Sequence, residues 1–116
     1  MLALAVSIGA FGAHGLQGRL DAYSTGVYEK AVMYHFFHAL GMLAVPLLVR
    51  ARLISESAGN WTGWLLLIGI VLFSGSLYVL AITGVRILGA ITPIGGVSFI
   101  AAWVVLAVCA LRSRLS

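Results

Sequence analysis

The chain has 116 residues, 62% of them hydrophobic and only 9% charged, with a mean hydropathy of +1.12. A soluble domain of this size is mostly surface and needs about a quarter of its residues charged to cover it, so a soluble globular enzyme is excluded, as is a disordered chain. The net charge of +4 comes from seven Lys and Arg scattered along the chain. It marks helix ends and membrane orientation rather than a track for nucleic acid. Cys109 is the single cysteine, so no disulfide scaffold can form within the chain.

A membrane-spanning helix needs roughly 20 apolar residues. In chain order, the hydropathy pattern predicts spans over about 1–16, 31–49, 64–83 and 92–111. The first run is short and has no basic flank, so the first helix is expected to be short or to begin upstream of Met1. A cleaved signal peptide competes for this run but lacks its basic leading region. The second span ends at Arg50 and Arg52, and the fourth at Arg112 and Arg114. The third contains no charge. Ser24 or Thr25 can cap the second helix and Ser57 or Asn60 the third, while Thr92-Pro93 reads as a cap followed by a first-turn proline. The segment GVRILGAI (84–91) is an apolar connection, expected to pack over the bundle because irregular backbone at membrane depth needs cover. The fold class predicted is therefore all-α: an integral membrane four-helix bundle forming one domain.

Four spans place both termini on one side, with Arg50, Arg52, Arg112 and Arg114; the other side carries Arg19, Lys30 and Arg86. This split favours cytoplasmic termini. Trp61 and Trp64 are expected at the terminal-side interface, and Tyr23, Tyr28 and Tyr34 at the opposite one. Ala5, Gly9 and Ala13 recur every four residues, as close helix packing in lipid requires. Trp103 and Cys109 are expected to be packing residues, and Glu29 beside Lys30 a solvated helix start.

The residues with chemistry are few. His14 ends the first span, while His35 and His38 are three apart on the second, sharing a helical face. With Arg86 and Thr92 they are expected to converge at one end of the bundle. Such a cluster could be a set of structural hydrogen bonds, or a site for a quinone or lipid headgroup. The helix-start amides of Gly95 and Gly96 could serve an anionic group there. His14, His35, His38 and Met42 could suit a metal or an axial haem position, although no acidic residue accompanies them. Asp21, Glu29 and Glu56 fall in loops or at helix ends, so no proton or solute path is drawn. The sequence shows no nucleophile paired with a base, no paired carboxylates, no phosphate loop and no zinc spacing. It assigns no cofactor and no enzyme activity.

The stretches GAFGAHGL (9–16), YHFFHALGML (34–43), FSGSLYVL (73–80) and ITPIGG (91–96), with Trp103, resemble the family DUF423, the YgdD-like small membrane proteins. The resemblance covers nearly the whole chain. It implies a four-helix protein of the bacterial inner membrane, or of mitochondria in a eukaryote, and no assigned activity. The matching positions are His14, His35, His38, Thr92, Pro93, Gly95 and Gly96. The first span begins later here than is usual for the family. Together these readings point to a small non-enzymatic subunit in the lipid bilayer, partnered by other membrane-protein subunits.

Overall fold

The computed structural model describes residues 1–16 and 18–115, excluding the side chains of residues 114 and 115. Four helices run antiparallel in a slab of 55 × 26 × 16 Å. They are α1 (Leu2–His14), α2 (Ala22–Arg50), α3 (Glu56–Thr83) and α4 (Thr92–Leu115). No strand occurs among the described residues. The last three helices are long and apolar enough to cross a membrane. Helix α1, at 13 residues, rises about 20 Å.

The helix starts differ from the expected ones. Helix α2 is capped by Asp21, not by Ser24 or Thr25: the Asp21 carboxylate accepts the Ser24 N–H at 2.7 Å. Hydrogen bonds from the Ser24 backbone and then its side chain, with Arg86 adding its charge, hold this exposed carboxyl below its ordinary range. Helix α3 is capped by Ser55, whose hydroxyl accepts the Ala58 N–H at 3.1 Å. Both caps lie upstream of the expected positions because helix continues past the apolar run into the polar flank. Thr92 is the first residue of α4, and its hydroxyl meets Ser76 of α3 at 2.7 Å.

Helix α3 is the centre of the bundle and packs against α2 and α4, while α1 lies chiefly on α2. The larger core joins Ala39, Val45, Leu66, Ile70, Phe99 and Ala102; a smaller one joins Ala31, Leu77 and Leu80. Midway along α3, Ile70–Ser74 form a π-helical turn, with the Gly75 N–H bonded to the Ile70 carbonyl. The wider turn lets the buried Ser74 hydroxyl donate to the Ala31 carbonyl of α2 at 2.9 Å. Other side chains tie the remaining pairs. Tyr28 donates to the Ile8 carbonyl at 2.5 Å, and Ser98 to the Leu65 carbonyl at 2.7 Å. Each such bond satisfies a hydroxyl that lipid would not, and contributes about 0.6 kcal/mol on average.

The connection at 84–91 packs on the bundle only in part, through Leu88 against the smaller core. Arg86–Ala90 form a 3₁₀ helix in which only Leu88 and Gly89 are partly buried, and Ile87 is 76% exposed. Its backbone satisfies itself through bonds such as Ile91 N–H to the Leu88 carbonyl at 3.1 Å, so covering protein is not required. The aromatic residues also depart from the expected belt. Tyr23, Trp61 and Trp64 are exposed, but Tyr28 is buried and Tyr34 half-buried within the bundle.

Candidate functional site

Because α2 starts at residue 22, His35 and His38 stand at its mid-length rather than near one end. Both are buried. Their three-residue spacing turns both inward, but towards different neighbours. His35 Nδ1 meets the Tyr78 hydroxyl of α3 at 2.9 Å. The Tyr78 ring lies 5.3 Å from that of Tyr28, whose hydroxyl is bound to α1. A polar and aromatic chain thus runs from α1 through α2 to α3.

His38 faces α4. Its Nδ1 donates to the Tyr34 carbonyl at 2.7 Å, and since a carbonyl can only accept, the proton sits on Nδ1. The ring stacks on Phe99 with centroids 3.5 Å apart, and Trp103 lies at 5.8 Å. Tyr34 and Phe73 extend the stack, their centroids 4.4 Å apart. Trp103 also covers Gly41, where an added Cβ would sit 2.9 Å from the indole.

The other expected members do not join this centre. His14 is exposed at the end of α1. Arg86 is exposed and lies 5.8 Å over the Tyr23 ring. Thr92 is bonded to Ser76, and Met42 packs against the larger core. The Gly95 amide is directed at the Ile91 carbonyl at 3.4 Å, and the residue is pressed against the Phe73 backbone, so its role here is helix contact. Gly96 makes ordinary contact with the Phe73 ring. The α1 stripe does pack: Ala5 is fully buried and Gly9 faces Val32 and Phe36, although Ala13 is exposed. Among the described residues, no three of His, Cys, Asp and Glu lie close enough to share a metal ion.

His35 and His38 are thus hydrogen-bonded and set against aromatic rings inside the bundle, while His14 is exposed. Among the described residues two buried polar atoms have no partner: His35 Nε2 and the Thr62 hydroxyl. Five surface cavities of 340–570 Å³ are walled without His14, His35 or His38. Sequence reasoning passed over Tyr78 and Thr62. The signal for Tyr78 was a hydroxyl recurring on alternate residues, Ser74, Ser76 and Tyr78, in an otherwise apolar span; a lone threonine gives no such signal.

The description DUF423, a protein of unknown function, matches residues 8–96. The chain belongs to the DUF423 family. Among its relatives is a UPF0382 membrane protein of Staphylococcus epidermidis, 54% identical, the match covering 94% of this chain and 87% of that one. A UPF0382 membrane protein of Staphylococcus saprophyticus is 53% identical over 90% of this chain and 85% of its own. The UPF0382 membrane protein YwdK of Bacillus subtilis is 49% identical over 94% and 88%. No solved structure matches the chain. These DUF423 relatives and the three long apolar helices make this a membrane protein with the lipid bilayer as its surroundings.

Proposed function

We propose that this DUF423 protein is a non-enzymatic accessory or assembly subunit of a larger membrane complex, respiratory or photosynthetic in class. It sits in the bacterial inner membrane with both termini in the cytoplasm; in a eukaryote the corresponding membrane is mitochondrial. The observation that carries this reading is the distribution of burial. Only 17% of the apolar window in Arg86–Ser113 is buried within the chain, against 44% of that in α3. Helix α4 thus offers a long face to neighbouring membrane helices. Extraction in mild detergent followed by native gel electrophoresis tests it. Co-migration with a large complex is the expected result, and recovery only as a free small species overturns it.

The unpartnered His35 Nε2 favours a second reading, a binder of a quinone, lipid headgroup, metal or haem at the histidines. It predicts a stoichiometric ligand or metal in pure protein, lost on joint substitution of His35 and His38.

A further inference from the structure

Helix α1 and the first turns of α2 enclose a groove of about 450 Å³ whose wall includes Tyr28 but none of His14, His35 and His38. Its floor is made of small residues, Gly9, Gly12 and Ala13 on α1. Opposite them stand Val32 and Met33 of α2. The Tyr28 ring crosses between the helices, close against Gly12, and is held there by its bond to the Ile8 carbonyl. A side chain at Gly12 would collide with that ring, so the ring and the floor are fixed together.

One charge stands in the wall, the Glu29 carboxylate, with Thr25 one turn before it on the same face of α2. Val32 and Met33 follow at the next turn and continue that face into the apolar part of the groove. Among the described residues Glu29 makes no ion pair, and no basic side chain lines the groove. Lys30 is exposed and outside the wall. Among the described residues the wall is mostly apolar, and Glu29 is its one charged side chain. The groove's volume falls within the roughly 300–1,000 Å³ of small-molecule sites.

We propose that this groove binds an amphiphilic organic cation. The positive group, an ammonium, meets the Glu29 carboxylate, and the apolar body lies along the Gly9–Gly12–Ala13 floor. Charge complementarity decides the occupant. A neutral apolar molecule gains nothing from the exposed carboxylate, and an anion is repelled by it. This site is independent of any role as a subunit.

The test is native mass spectrometry of the full chain in mild detergent, titrated with three probes sharing one elongate body. These are the trimethylammonium derivative of diphenylhexatriene, the uncharged parent and the propionate derivative. The cation is expected to give one saturable adduct, about tenfold tighter than the propionate. Glu29→Gln should bring the cation down to the level of the parent. Ala13→Leu, which adds bulk to the floor, should weaken the cation and the parent alike. Both residues are exposed, and thermal melting of each variant establishes that the fold is kept. Equal binding of cation and propionate, or a cation adduct unchanged in Glu29→Gln, overturns the proposal. So does a phospholipid that fills the single site equally in the parent chain and in Glu29→Gln.

Discussion

Gly95 shows how closely two of these helices approach. A Cβ built there would lie 2.4 Å from the backbone nitrogen of Phe73, which cannot swing aside. At Gly41 the obstruction is the tip of the Trp103 indole at 2.9 Å, a side chain that can yield. At Gly63 nothing lies within 4 Å. The three glycines share a residue type but not a cause, and one substitution separates them. Gly95→Ala should destabilise the bundle by about 1–3 kcal/mol, as overpacking against a rigid neighbour does. Gly41→Ala should cost less. Gly63→Ala should be neutral, or stabilising by roughly 0.5–1 kcal/mol through helix propensity. Thermal melts of the three variants in one detergent give the order directly, and equal stability of Gly95→Ala and Gly63→Ala would contradict it.

Among the elements, α3 depends on its π turn. That turn places the Ser74 hydroxyl on α2 and the Phe73 backbone beneath Gly95 of α4. A π turn accommodates one extra residue while the flanking α segments keep their faces. Deleting Val71, the exposed residue of the turn, should leave a continuous helix with Leu66 and Leu80 still facing inward. The protein should then remain folded, with a lowered melting temperature. Deleting Leu40 from the regular stretch of α2 turns everything beyond it by about 100° and should abolish folding. A Val71 deletion as damaging as that of Leu40 would rule this account out. The same turn explains what was legible beforehand. Runs such as Trp64 to Thr83 have few fates other than a membrane helix, so the number and order of helices could be read directly. The helix starts could not, because hydropathy follows the apolar run while Asp21 and Ser55 cap helix that extends beyond it. The inward pairing of His35 and His38 followed from their spacing. Their separate partners, Tyr78 and Phe99, depend on how α3 and α4 are set around the π turn, which no residue type announces.

For the whole molecule, the ends matter as much as the core. At one end Arg50, Arg52 and Ser113 surround the start of α3; at the other, Arg86 stands over Tyr23 beside the Asp21 cap. Charge gathers where the helices end, and between the ends the buried polar groups are mostly bonded to neighbouring helices. This is the distribution that lipid imposes, since a hydroxyl facing hydrocarbon has no water to replace its partner. We propose that the imbalance of basic residues, four against three, orients the chain with the Arg50 end inside. Substituted cysteines make that testable in a Cys109→Ala background. Ser57 and Ala90 are both exposed and lie at opposite ends. A membrane-impermeant maleimide applied to intact bacterial spheroplasts should label Ala90→Cys and spare Ser57→Cys until the membrane is opened. The reverse pattern would place the Arg50 end outside, and the Glu29 groove would then open towards the cytoplasm instead of the outer leaflet.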